Sequence, residues 1–195
     1  MSYIFVGLGN PGEEYENTRH NVGKMMLSWF AEDKKTSFVY DKKINAQVAK
    51  TKIGKSPVTL VLPDTFMNNS GKALKDLVNN PKKAEKLVVI YDDLDLPFDK
   101  EKVSHNRSSG GHRGLESIIK SIKTKNFTRI RIGISPKTPT GKIKKPTGEE
   151  KVMKFILGKF SPDEIKVLKK KSKKVSEALV NLVEFGLEKT MTEFN

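Results

Sequence analysis

Residues Leu87-Val88-Val89-Ile90-Tyr91 form an unbroken apolar run rich in β-branched side chains. A strand with one face in water alternates apolar and polar positions. A strand without that alternation is covered on both faces, as in the centre of a sheet flanked by helices. Tyr3-Ile4-Phe5-Val6 and Val58-Thr59-Leu60-Val61-Leu62 carry the same signal. Between such runs, Val22, Met25, Met26, Trp29 and Phe30, and later Leu115, Ile118, Ile119 and Ile122, recur at helical spacing. Apolar strands interleaved with amphipathic helices predict an α/β fold: a mixed, mostly parallel twisted sheet flanked by helices.

The remaining elements follow from local signals. Phe38–Tyr40, Ile44–Ile53 and Pro57–Leu62 read as strands. Arg129-Ile130-Arg131-Ile132-Gly133-Ile134 alternates as a strand with one wet face would. Thr18 is a candidate N-cap for the first helix, and a short helix from about Ser70 buries Ala73, Leu74, Leu77 and Val78 before Asn80-Pro81 ends it. Ser104–Ser109 is polar and reads as mobile, and Lys137–Lys151 reads as a surface loop. Ser161-Pro162-Asp163-Glu164 matches a capping box with proline at the first helical position. It opens a C-terminal amphipathic helix with Ile165, Leu168, Val175, Leu179, Leu182 and Val183 on one face. With 195 residues, no repeat and no linker, a single domain over residues 1–195 is expected.

Composition narrows the chemistry. Without cysteine there is no disulfide, thiolate metal site or cysteine nucleophile. No apolar run approaches the ~18 residues of a membrane span, and no leader-like segment opens the chain, so a cytoplasmic protein is expected. The net charge of +14 points to a polyanionic partner. Five of the 37 basic residues are arginine: Arg19, Arg107, Arg113, Arg129 and Arg131.

Gly7, Gly9 and Gly12 match the spacing of a dinucleotide-binding glycine loop. The match fails physically, because Glu13-Glu14-Tyr15-Glu16-Asn17 follows where an apolar helix should pack and a phosphate should sit. A different arrangement fits better. Ligands bind at the carboxyl ends of strands in open α/β sheets. Three apolar runs each deliver a polar residue there: Asn10, Asn68 and Asp92, with His20 at the start of the first helix. If those strands are parallel neighbours, the four residues share one crevice. A histidine paired with a carboxylate suits general-base activation of water, and asparagine amides can orient a carbonyl or meet a developing oxyanion. No G-x-S-x-G elbow offers a covalent alternative. A second reading takes Asp92, Asp93 and Asp95 as ligands for Mg²⁺, although Asp-Asp-Leu-Asp-Leu-Pro also suits a turn.

Taken together the motifs identify a resemblance. Val6-Gly7-Leu8-Gly9-Asn10-Pro11-Gly12, Tyr15, Thr18-Arg19-His20-Asn21-Val22-Gly23, Thr65-Phe66-Met67-Asn68-Asn69-Ser70-Gly71, Asp92-Asp93-Leu94-Asp95-Leu96-Pro97, Gly110-Gly111-His112-Arg113-Gly114-Leu115, Arg129–Ile134 and Phe155–Lys159 occur in order along nearly the whole chain. The chain resembles the bacterial-type peptidyl-tRNA hydrolases. The resemblance implies a monomeric α/β enzyme that cleaves the ester between a peptide and the 3′ end of tRNA after premature release from the ribosome. It implies peptidyl-tRNA as partner, no metal and no organic cofactor. By position, His20 corresponds to the general base, Asp92 to its orienting carboxylate and Asn10 to a residue distinguishing blocked from free aminoacyl ends. Tyr15, Phe66 and Asn68 correspond to substrate contacts. Arg113 stands where the family often has a substrate-binding asparagine. Ser104 stands where some members carry a lysine that clamps the 5′ phosphate, leaving Lys102, Arg107, Arg113 and Arg131 as candidate phosphate contacts. Phe66 replaces a frequent tyrosine.

Overall fold

The computed structural model describes residues 2–195. In chain order the elements are β1 (Tyr3–Gly7), α1 (Val22–Asp33), β2 (Val39–Asp41), β3 (Ala46–Ile53), β4 (Ser56–Pro63), α2 (Pro81–Ala84), β5 (Leu87–Pro97), β6 (Glu101–His105), α3 (Arg113–Ile122), β7 (Thr128–Ser135), α4 (Glu149–Ile156), α5 (Pro162–Glu184) and α6 (Leu187–Phe194). Seven strands form one sheet in the order β2-β3-β4-β1-β5-β7-β6. Strands β4, β1, β5 and β7 run parallel in the middle, and antiparallel β3 and β6 flank them.

The absence of alternation in β1 and β5 has its expected cause. Phe5, Leu60, Val88 and Ile90 face a core built with α1 and α5, while Ile4, Val6, Val61, Val89 and Tyr91 face a second core built with α3 and the turn after β4. Successive residues of one strand therefore enter opposite cores, and neither set meets water. At α5 both halves of the Ser161–Glu164 capping box form.

Several expectations are corrected. The chain does not turn at Asp92; β5 continues to Pro97, with a register shift against β7 between Asp93 and Pro97. Residues 101–105, whose polar end had read as mobile, are β6, an edge strand whose Val103 backbone is bonded on its outer side by the Asn195 amide at 2.9 Å in both directions. The arginine face of β7 is not a plain wet face: Arg129 is fully buried against the Phe127 ring and bonded to the Arg107 carbonyl, and Arg131 is half-buried in the cleft. The segment expected to be helical from Ser70 is a 3-10 helix over Met67–Ala73. Thr18 does not cap with its side chain; its hydroxyl donates to the Tyr15 carbonyl at 2.8 Å, and a 3-10 turn, Arg19–Asn21, precedes α1. Helix α6 carries no signal of comparable strength to that of α5.

Helix α1 lies against the ends of β1 and β5 with no space for a side chain between them. A Cβ on Gly23 would stand 2.2 Å from the Ile90 carbonyl oxygen and 2.7 Å from the Leu8 nitrogen. Backbone atoms cannot rotate aside, so the helix itself would have to move. Gly23→Ala is expected to lower stability by about 3 kcal/mol, at the upper end of overpacking costs. Chemical denaturation measures this, with an unchanged midpoint arguing against the close contact.

Candidate active site

Parallel pairing of β4, β1 and β5 aligns their carboxyl ends, and the loops that follow make a cleft of about 970 Å³. Asn10, Tyr15, His20, Phe66, Asn68, Asp92, Arg107, Arg113 and Arg131 all line it. The crossover is pinned by backbone bonds: Leu8 N–H donates to Ile90 C=O, and Lys24 N–H donates to Leu8 C=O, each at 3.0 Å. These place the turn carrying His20 beside the end of β5.

His20 and Asp92 are both buried, at 6% and 4% exposure. The His20 Nδ1 lies 2.9 and 3.0 Å from the two Asp92 carboxylate oxygens. That contact makes Nδ1 the protonated nitrogen and leaves Nε2 as the basic one. A second imidazole shares the carboxylate: His112 Nε2 is 2.9 Å from Asp92 Oδ1. Its Nδ1 accepts the Leu115 backbone N–H at 3.3 Å, so His112 also caps α3. A nitrogen that accepts from an amide carries no proton, so the Nε2 of neutral His112 is the donor to Asp92. Burial acts to raise the Asp92 pKa. The electrostatic attraction and hydrogen bonds of the His20 and His112 N–H groups outweigh it and hold the carboxyl well below the usual carboxylate range. Next to them the Tyr91 ring meets His112 edge-on at 4.9 Å, and burial pushes its hydroxyl up to about 12.

Asn10 is also locked. Its backbone N–H donates to Asn21 Oδ1 at 2.8 Å, and Asn21 Nδ2 donates back to the Asn10 carbonyl at 3.0 Å. Its side-chain Oδ1 accepts the Met67 backbone N–H at 2.8 Å. An acceptor opposite an amide is oxygen, so the amide orientation is determined and Nδ2, a donor, is the group left for the cleft. Tyr15 and the exposed Phe66 meet edge to face at 6.3 Å and form an apolar lip. Asn68 is exposed beside them in the 3-10 helix.

The cationic candidates divide. Arg131 donates through Nε to Asp93 at 2.7 Å. Arg113 is at the rim, paired with Glu149 at 2.6 Å, and Lys145 pairs with Asp95 at 2.6 Å from the same side. Arg107 is exposed. Lys102 is exposed on β6 and stands outside the cleft lining, and Ser104 is buried with an unpartnered hydroxyl. Arg19 is a brace: it holds Glu164 at 3.2 Å and the Gly158 and Lys159 carbonyls, with its guanidinium over the Phe155 ring. The backbone amides of Gly111 and His112 are engaged by the Ser109 hydroxyl and carbonyl.

The Mg²⁺ reading fails, since Asp93 and Asp95 are engaged by Arg131 and Lys145 and do not converge with Asp92. The dinucleotide reading fails too, because Gly12 leads into a 3-10 turn, Glu13–Tyr15, rather than a helix against the sheet. Ligand atoms of His20, Asp92 and His112 lie within 4.8 Å of one another, a set that could hold a metal ion. In this structure they satisfy one another by direct hydrogen bonds.

A family model described as peptidyl-tRNA hydrolase matches residues 4–195. The chain belongs to the peptidyl-tRNA hydrolase family. It is 42% identical to a peptidyl-tRNA hydrolase of Aquifex aeolicus over 193 residues, covering 98% of this chain and 95% of that one. It is 40% identical to one from a Thermoanaerobacter strain, covering 99% of each. Among solved structures, the peptidyl-tRNA hydrolase of Acinetobacter baumannii superposes with a TM-score of 0.87 at 29% identity, covering 100% of this chain and 94% of that chain. The fold and the enzyme class expected from sequence are thereby shown.

Reading the sequence for function passed over two site residues. His112 has no role of its own in the motif Gly110–Leu115, and its partner lies 20 residues away in sequence, so no local pattern announces it. Met67 contributes a backbone amide, which no side-chain motif reveals.

His112→Ala is expected to lower kcat about tenfold with little change in KM, because Asp92 loses one of two donors. The lost cap should cost about 1 kcal/mol of stability. Steady-state kinetics and thermal unfolding check both. The depressed Asp92 pKa gives a sign as well: its stabilisation is complete above the unfolded carboxylate range and is lost as pH falls through the folded value. The stability difference between wild type and Asp92→Asn should therefore shrink as pH falls below about 4. Urea unfolding across that range measures it.

Proposed function

We propose that this protein hydrolyses the ester joining a peptide or N-blocked aminoacyl group to the 3′ end of tRNA, with His20 as general base. Family membership supports the reaction, and the observation that carries the mechanism is the bidentate contact of Asp92 with His20 Nδ1. A water between His20 Nε2 and the ester carbonyl loses its proton to the imidazole as its oxygen attacks. Asp92 stabilises the imidazolium formed, and the same proton then passes to the departing ribose oxygen. General-base action of this kind contributes about 10²–10⁴-fold.

Asn10 supplies selectivity through its polarity. The Nδ2 donor left facing the cleft matches an acyl carbonyl of a peptide. The α-ammonium of an unblocked aminoacyl end carries only donors and must also lose its water, so it is disfavoured twice. Tyr15 and Phe66 give an apolar surface to the side chain or the terminal base, and Asn68 borders the same path. Arg107, Arg113 and Arg131, with the lysines of residues 137–151, are the phosphate contacts at the mouth. Lys102 has a weaker claim on that work because it stands outside the cleft. The peptidyl-tRNA reading carries with it a monomer acting in the cytoplasm.

Purified protein should release the acyl group from N-acetyl-aminoacyl-tRNA and spare the unblocked ester. His20→Ala should reduce kcat by about 10²–10⁴-fold, and an unchanged rate would remove His20 from the base role. Affinity for tRNA should fall steeply from about 50 to 200 mM salt. A flat response in a binding titration would show the basic rim to be a solvated surface.

A further inference from the structure

Lys24 lies in the first turn of α1, where the helix dipole disfavours a cation. Its side chain nevertheless runs inward. The Cγ and Cδ atoms lie over Gly9, each 2.9 Å from where a Cβ on that glycine would stand. At the end of this stem, Nζ donates to the Asn10 carbonyl at 3.2 Å. That is its one hydrogen bond among the described residues, made to a peptide oxygen rather than a carboxylate. The same oxygen already accepts from Asn21 Nδ2 at 3.0 Å, so the backbone of Asn10 is held without Lys24. Burial lowers the Lys24 pKa from the ordinary lysine value and the Asp64 charge acts in the opposite direction. The Lys24 ammonium lies directly behind the residue that reads the acyl end, outside the cleft lining itself, with the Asp64 charge as its support and no hydrogen-bonded counterion.

We propose that Lys24 is a specificity-determining residue, its ammonium acting as an electrostatic filter that repels substrates bearing a free α-ammonium at the Asn10 subsite. This rests on the peptidyl-tRNA reading and on Asn10 facing the acyl group. The filter acts through space, without contact. A second cation entering the cleft meets a half-buried charge that water screens poorly, whereas a neutral peptide amide meets no such barrier. Between like unit charges several ångströms apart at an effective dielectric near 20, repulsion amounts to about tenfold or more in relative affinity. Donor mismatch at Asn10 and charge repulsion from Lys24 then act on the same competitor by different physics, so removing one leaves the other.

The test uses three esters of one tRNA: N-acetylphenylalanyl, phenyllactyl and phenylalanyl. The first two are neutral at the α-position, and the third is mostly cationic at pH 6.5. Lys24→Met keeps an apolar stem over Gly9 and removes the charge; Lys24→Arg keeps the charge. For Lys24→Met, kcat/KM on the phenylalanyl ester should rise about tenfold relative to both neutral esters, while Lys24→Arg keeps the wild-type ratio. An unchanged ratio of phenylalanyl to phenyllactyl hydrolysis in Lys24→Met overturns the proposal, including the case where all three rates fall together, which marks a purely structural lysine. Thermal unfolding of both variants confirms that folded enzymes are compared. Failure of the underlying reading is separate: it would appear as wild-type enzyme leaving the N-acetyl ester intact.

Discussion

A carboxylate without solvent is the constraint around which this cleft is arranged. Asp92 is 4% exposed at the point where the central strand emerges from the sheet. An isolated ion there would be neutralised by proton uptake, because burial penalises the charged form by several kcal/mol. Two imidazoles at 2.9 Å prevent that. They come from opposite directions along the chain, His20 from the turn before α1 and His112 from the cap of α3. Each is oriented by its bond to Asp92, and His112 is further fixed by the Leu115 amide. The arrangement is reciprocal: the carboxylate keeps one imidazole basic at Nε2, and the imidazoles keep the carboxylate ionised.

Holding this group in place is a matter of backbone contacts. Gly23 allows α1 to touch the Ile90 carbonyl, and Asn21 returns both backbone bonds of Asn10. The Asn10 side chain ties the end of β1 to the segment after β4 through Met67. Strand ends that are neighbours in the sheet thereby become neighbours in the cleft, with little freedom left for the groups nearest the reaction. The rim differs. Phe66, Asn68, Arg107 and Arg113 are exposed, and the ion pairs Arg113–Glu149 and Lys145–Asp95 lie in solvent. Pairs of that kind contribute at most about 1 kcal/mol each, little against binding a polyanion. A rigid floor and a weakly held rim suit a small reacting group at the end of a large ligand.

Charge was a guide to partner class and a poor guide to individual residues. All five arginines lie in segments singled out from sequence, yet they do different work. Arg19 braces the His20 turn against the start of α5, and Arg129 is fully buried beneath Phe127, bonded to the Arg107 carbonyl. Arg131 is shared with Asp93. Arg107 and Arg113 are the exposed ones at the mouth. The alternation Arg129-Ile130-Arg131 suggested a wet face, and Phe127 with the Arg107 backbone covers its first arginine.

What the sequence alone determined was the class of fold and most members of the site. Long apolar runs without alternation have one stable home, the covered centre of a sheet. A polar residue at the end of each such run is placed by that fact near its neighbours' polar residues. Asn10, Asn68 and Asp92 were legible for this reason, and His20 by its place at the start of the first helix. The tertiary structure alone decided who partners whom. The second imidazole on Asp92, the Met67 amide that turns Asn10 into a donor and the lysine behind Asn10 all depend on contacts between segments distant in the chain. So does the continuation of β5 past Asp92, since β7 supplies the hydrogen bonds that make a sequence resembling a turn into a strand. Local sequence specifies which backbone conformations are cheap, and only the assembled sheet settles which of them has its polar groups satisfied.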